Sequence, residues 1–238
     1  MKPNIYNFFK FLNQKEQRPI PFRIKLIYTP ETLTPQELNV KGSLNLYNTP
    51  ITSLPKGLTV GDWLDLSNTP ITSLPKGLTV GGNLWLANTK IISLPEGLKV
   101  GDSLDLENTP ITSLPEGLTV GGYLDLGNCA SLEELPKDLT VKGYLDLRNT
   151  EITSLSKSKG LTVGGNLWLA NTKITSLPEG LTVGGNLYLA DTPITSLPKG
   201  LTVGGDLYLT NTPLAKQTDE KIKVMIGSNG YIKGKIYR

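Results

Sequence analysis

Carboxylates and aromatic rings recur in this chain at a nearly constant spacing. Asp65, Asp105, Asp125 and Asp146 share one phase of a 20-residue period, and Trp85, Trp168, Tyr188 and Tyr208 occupy the same phase in other turns. Neighbouring carboxylates could hold a cation, work as an acid and base pair, or meet a basic partner. Rings in a row could anchor a protein interface or stack on sugars. The chain contains no histidine, which removes the commonest metal ligand and general base, and Cys129 is its only cysteine, so no internal disulfide can form. The Gly-Gly pairs lack the following helix and the Lys-Ser/Thr that a phosphate-cradling loop needs, and there is no nine-residue Gly-Gly calcium repeat. Neither zinc nor another cofactor is expected.

These residues matter only if the chain brings them together, and the repeat does so. Leu-x-Leu recurs nine times, from Leu44 and Leu46 to Leu207 and Leu209, within the consensus L-T-V-G-G-x-L-x-L-x-N-T-x-I-x-S-L-P-x-G. A period of 20 residues marks one small unit stacked on copies of itself, because a single unit cannot bury its own apolar residues. The alternation around Leu84 and Leu86 has period two and predicts a short strand. The return path holds only about ten residues, spotted with Pro, Gly and β-branched side chains, so extended or turn structure is expected there rather than helix. Leu104, Leu106, Ile111, Leu114 and Leu118 are expected to point inward and to stack on their counterparts about 4.8 Å away, giving a continuous apolar rod. Gly-Gly pairs such as Gly81–Gly82 are expected to make the corner before each strand through positive φ.

L-x-L-x-N-T-x-I-x-S-L-P resembles the leucine-rich repeat, and S-L-P-E-G-L-T in a 20-residue unit is similar to short, helix-poor repeats of some bacterial effector and phage proteins. The resemblance covers about 170 residues. It implies a mainly β repeat solenoid, with parallel strands on one face and extended or turn structure on the other, and a bacterial or phage protein acting on a host or competitor component. Aligned on the strand leucines, Gly81 replaces the first leucine and Thr89, not Asn88, occupies the asparagine-ladder position. A threonine ladder is therefore expected, with the Asn column as the alternative and Cys129 as a structural substitute for threonine. Two insertions, at residues 129–134 and 156–159, are expected to bulge from the side opposite the strands.

The organisation expected is an N-terminal cap over residues 1–39, a nine-rung solenoid over 40–213 and a C-terminal cap over 214–238. In the first cap residues 24–28 read as a strand and Thr34-Pro35 as the start of a helical turn. In the last, Thr218 opens a short helix to Ile226, followed by a strand over 231–237 in which Lys233 and Lys235 discourage edge pairing. Charge is uneven: residues 1–40 carry six Lys/Arg against three acids, 214–238 six against two, and 41–213 twelve against sixteen. An acidic body argues against nucleic acid as a partner. No secretion signal and no stretch long enough to span a bilayer is legible, so a cytoplasmic protein without a membrane partner is expected, with export by a route that needs no cleaved signal as the alternative; a monomer is also expected.

Three outward columns flank the strand leucines, and all three tryptophans and five of the nine tyrosines fall in them. The candidate partner-binding residues are Trp63, Asp65, Trp85, Asp105, Tyr123, Asp125, Tyr144, Asp146, Trp168, Tyr188 and Tyr208. Aromatic pairs alone could simply reinforce the sheet. Successive Asp105, Asp125 and Asp146 place like charges together, which opposes folding and points to a basic partner. The expected function is a non-catalytic protein-binding module using an aromatic and acidic concave strand face; a glycan-binding adhesin or a structural spacer is the alternative. Paired carboxylates on an open sheet lack the enclosed pocket that acid–base hydrolysis needs.

Overall fold

A computed structural model describes residues 5–16, 19–155 and 161–238 of the chain. Two parallel sheets of ten strands each run through the repeats, and every strand is two residues long. One sheet is built from Thr-Val pairs such as Thr59–Val60 and Thr79–Val80, the other from Leu-x pairs such as Leu64–Asp65 and Leu84–Trp85. Register follows the repeat: Leu84 lies beside Leu104, Leu124 beside Leu145, and Leu145 beside Leu167. The molecule is thus a solenoid of short leucine-rich repeats. The Thr-Val sheet is additional to the single strand face expected, because two residues carry no alternation by which a strand could be recognised.

Apolar side chains from both sheets and the return path close over one core. In one turn Leu84, Leu86 and Ile91 are fully buried and Leu94, Leu98 and Val100 nearly so, and the same columns repeat from Leu44 to Ile226 as one cluster. Each buried leucine is worth about 2 kcal/mol, so the stack is stabilised by repetition rather than by any single contact. Backbone hydrogen bonds join each rung to both of its neighbours, alternating in sense as in any parallel ladder. Gly81 donates to Val60 O of the preceding rung at 2.8 Å, whereas Leu64 donates to Asn83 O of the following one at 2.9 Å.

Glycine serves the corner for a different reason from the one expected. Gly81 and Gly82 do not adopt positive φ; the glycines that do include Gly77, Gly97 and Gly117, in the Pro-x-Gly turns. A Cβ on Gly81 would instead lie 2.2 Å from Gly61 O, so the corner needs glycine because successive rungs touch backbone to backbone there. The other left-handed position is the Asn column, from Asn48 to Asn211 with Asp191 as its one exception, at φ of 53 to 60°. Asn tolerates that conformation better than other side-chain-bearing residues.

Threonine and asparagine divide the expected ladder between them. Thr69, Thr89, Thr109 and Thr150 are buried, but each hydroxyl donates within its own rung, as Thr89 does to Leu86 O at 2.7 Å. The chain of side chains between rungs is the Asn column, exposed, with Asn108 Nδ2 donating to Asn88 Oδ1 at 2.6 Å and Asn149 to Asn128 at 2.8 Å. Cys129 is buried at a threonine position, donates to Leu106 O at 3.1 Å, and burial pushes its thiol pKa up, which suits a filler rather than a nucleophile.

The ends depart from expectation in several places. Residues 24–28 belong to helix α2 (Phe22–Tyr28) rather than a strand, because Leu26 meets the first rungs of the core and turns one helical face to them. Before it lies α1 (Ile5–Glu16), which the sequence reading left unassigned. Thr34 and Glu37 close one hydrogen-bonded turn that does not propagate into a helix. At the other end α3 (Asp219–Ile226) forms with Thr218 as its N-cap. The single strand expected over 231–237 is two, Tyr231–Ile232 and Ile236–Tyr237, one added to each sheet with Lys233, Gly234 and Lys235 at the corner between them. The insertion at 129–134 makes a turn at Ala130 and Ser131 after the strand and its Asn turn; that at 156–159 lies outside the described residues.

Candidate functional site

Outside the Leu-x-Leu sheet, the side chain following the first leucine of each rung forms a column that register makes continuous: Asp65 beside Trp85, Trp85 beside Asp105, Asp105 beside Asp125, and Asp125 beside Asp146. Beyond these stand Trp168, Tyr188 and Tyr208. Trp63, Tyr123 and Tyr144 flank the column on the side of the glycine corner. The eleven candidates therefore share one face. They are not equally open: Asp146 is 1% exposed and the other ten are half-buried.

Each aspartate of the column has a local structural task that sequence reasoning missed. One carboxylate oxygen accepts the backbone N–H two residues on, at 2.9 Å in every case: Ser67 to Asp65, Glu107 to Asp105, Gly127 to Asp125 and Arg148 to Asp146. Asn45 does the same for Tyr47, so the turn needs an oxygen acceptor and not a charge. The signal was legible, since Asn or Asp holds this position in five of the first six rungs. The carboxylates at Asp105 and Asp125 add charge beyond what the turn uses, and partial burial pushes both pKa values up. For Asp125 the rise reaches about 6, with burial the chief cause and the neighbouring Asp146 and Asp105 adding to it.

Asp146 is neutralised within the chain. Arg148 grips its carboxylate through Nε and a close ion pair from the terminal nitrogen, and lies 5.5 Å over the Trp168 ring. A shallow cavity of about 600 Å³ lies elsewhere, lined by Glu179, Lys199, Ile226 and Asn229 among others. No group of three or more potential metal ligands is present among the described residues.

The rings form a spine. Trp63 meets Trp85 at 5.3 Å between centroids, and the Trp85 indole N–H donates across a rung to the Tyr123 hydroxyl at 3.2 Å. Tyr123 stacks on Tyr144 at 4.6 Å, and the series continues through Trp168 and Tyr188 to Tyr208. Tyr237, overlooked by the sequence reading, extends it at 4.8 Å because Ile236–Tyr237 repeats the Leu-x strand in other letters. These contacts stabilise the sheet as cross-strand pairs do; Tyr123 with Tyr144 and Tyr188 with Tyr208 stack face to face, whereas Trp63 and Trp85 are tilted at 42° and Tyr144 meets Trp168 edge-on. Asn and Asp in the flanking column are similarly engaged: Asn166, Asn186 and Asp206 each accept a backbone N–H of the following rung at 2.8 Å.

Fold and face together describe a leucine-rich-repeat solenoid carrying an aromatic and acidic sheet surface. Among solved structures the chain is similar to a leucine-rich-repeat protein of Leptospira interrogans, at 20% identity and a TM-score of 0.36 over 81% of this chain and 72% of that one. No protein-family model and no curated protein matches the sequence. The repeat register, the two sheets and the single core of this chain carry the fold assignment.

Proposed function

We propose that this protein is a non-catalytic interaction module that binds a basic protein surface through the outward face of its Leu-x-Leu sheet. A solenoid of this kind offers an extended rigid surface and is typically a binding scaffold. The observation that carries the proposal is the state of Asp105 and Asp125. Each keeps an oxygen bonded to its own turn, yet holds its charge half-buried beside another carboxylate, at a cost that shows in the raised pKa values. A partner's lysine or arginine would relieve that cost, as Arg148 does for Asp146. The three outward columns hold six carboxylates, Asp65, Asp105, Glu107, Asp125, Asp146 and Asp206, against the one arginine.

Sugar binding through ring faces is less suited to the tyrosines of this surface, because Tyr123 and Tyr144, and Tyr188 and Tyr208, stack on one another. The resemblance to bacterial and phage repeats extends the proposal to a partner in a host or competitor.

The test is the double substitution Asp105→Asn/Asp125→Asn, which keeps the turn acceptor that Asn45 already supplies and removes only charge. Partner capture at low salt should fall by about tenfold or more, and high salt should weaken the wild type similarly. Unchanged capture at both salt concentrations would refute the assignment of the face.

A further inference from the structure

We infer that helix α1 is a membrane-surface anchor that lies in the interface of an anionic bilayer. The helix, Ile5–Glu16, holds three of the chain's four phenylalanines, Phe8, Phe9 and Phe11. Phe8 is 57% and Phe11 51% exposed, and the Phe8 ring meets that of half-buried Phe9 edge to face at 5.7 Å, so the helix leaves aromatic surface open to solvent. Leu26 of the following helix α2 is buried in the solenoid core instead. The two helices of the N-terminal region thus do different jobs.

Charge selects the occupant. The first 28 residues carry six Lys/Arg, among them Lys10 and Arg23, exposed on α1 and α2, against the single acid Glu16. Phenylalanines combined with basic residues are the chemistry of an amphipathic helix that seats its rings at the boundary between headgroups and acyl chains. At twelve residues α1 is about 18 Å long, short of the roughly 30 Å needed to span a bilayer, and among the described residues no helix is long and apolar enough to cross one. The expectation of no membrane partner rests on that absence of a span, which leaves an interfacial helix untouched.

A second copy of the chain fits less well. Its acidic body complements the basic helix, but its repeats expose only Tyr47 and Ile92 as large apolar side chains among the described residues, and offer the phenylalanines little to enter. Residues 41–213 carry sixteen acids against twelve bases, so an anionic bilayer repels the body while it holds the helix. The Leu-x-Leu face would then stay free for its partner.

Flotation of the full-length chain with phosphatidylcholine vesicles, with and without phosphatidylserine, tests this. The wild type should float with the anionic vesicles, weaken at high salt, and bind neutral vesicles about tenfold less. Phe8→Ser/Phe11→Ser should lose about tenfold or more, whereas Phe8→Leu/Phe11→Leu should float nearly as the wild type does. Asp105→Asn/Asp125→Asn should float unchanged, which separates this inference from the proposed partner face. Absence of flotation on anionic vesicles, equal flotation of the serine variant, or wild-type self-association abolished by the serine variant without lipid binding would each overturn it.

Discussion

The two sheets have the same strand number, the same strand length and the same register, yet their outward columns differ in kind. In the Thr-Val sheet the outward residue is threonine in rung after rung, at Thr59, Thr79, Thr119, Thr140, Thr162, Thr182 and Thr202, with Lys99 as the exception inside the run. In the Leu-x-Leu sheet the equivalent column passes through Asn, Asp, Trp and Tyr. Threonine satisfies β-propensity and solubility, and its hydroxyl makes only local bonds, as Thr59 does to Asn39 and Thr119 to Gly117 O. This column also serves folding through its turn bonds and stacked rings, but at Asp105 and Asp125 it carries half-buried charge that the turn does not use. That surplus charge is the difference on which the proposed recognition face rests.

The largest expected effect breaks the junction on which both sheets depend. Gly81→Val places a side chain where a Cβ alone meets Gly61 O at 2.2 Å, so equilibrium unfolding in denaturant should report a loss of about 3 kcal/mol. Gly77→Ala, in open space but at φ +80°, should cost only about 1 kcal/mol by the same measurement. Equal losses would mean that backbone strain, rather than contact between rungs, demands glycine at the corner. Smaller than the Gly81→Val loss, but larger than that of Gly77→Ala, is the effect of Asn108→Val, which puts a β-branched residue at φ 55° and breaks the exposed Asn chain; about 2 kcal/mol is expected.

Asp125→Asn sharpens the comparison through pH. The folded pKa of about 6 lies above the ordinary 3.8, so the fold favours the neutral acid. Stability from this site is present at low pH and is lost as pH rises from about 4 through about 6. Near pH 7 the variant should be the more stable, by on the order of 1 kcal/mol after allowance for solvent screening, with the two proteins converging near pH 4. Thermal melts across that range measure it, and a variant less stable at pH 7 would deny that the charge is costly. The least effect belongs to the other sheet: Thr119→Val should change stability by under about 0.5 kcal/mol and leave partner binding intact.

Much of this was legible in the letters. Twenty-residue spacing fixed which residues become vertical neighbours, and with it the shared face of Trp85, Asp105, Asp125 and Trp168. What escaped lay below the resolution of a pattern. Thr-Val is too short to show alternation, and the helical state of residues 24–28 is set by Leu26 meeting the core, which β-favouring Ile and Tyr do not reveal. The glycine corner was placed correctly but explained by φ, because contact between backbones 20 residues apart leaves no local trace. The aspartates looked unexplained by stability until the turn bonds appeared at Glu107 and Gly127; only their charge is left for a partner.

All three indole N–H groups of this protein, on Trp63, Trp85 and Trp168, belong to the proposed face, which makes them a built-in map of it. A nuclear magnetic resonance titration with the captured partner at low salt would read them beside the backbone amides of Thr119 and Thr140 on the other sheet. The account predicts that the Trp85 and Trp168 indole resonances shift with saturation while the threonine amides stay in place. Shifts at Thr119 and Thr140 with silent indoles would place recognition on the opposite sheet and contradict it.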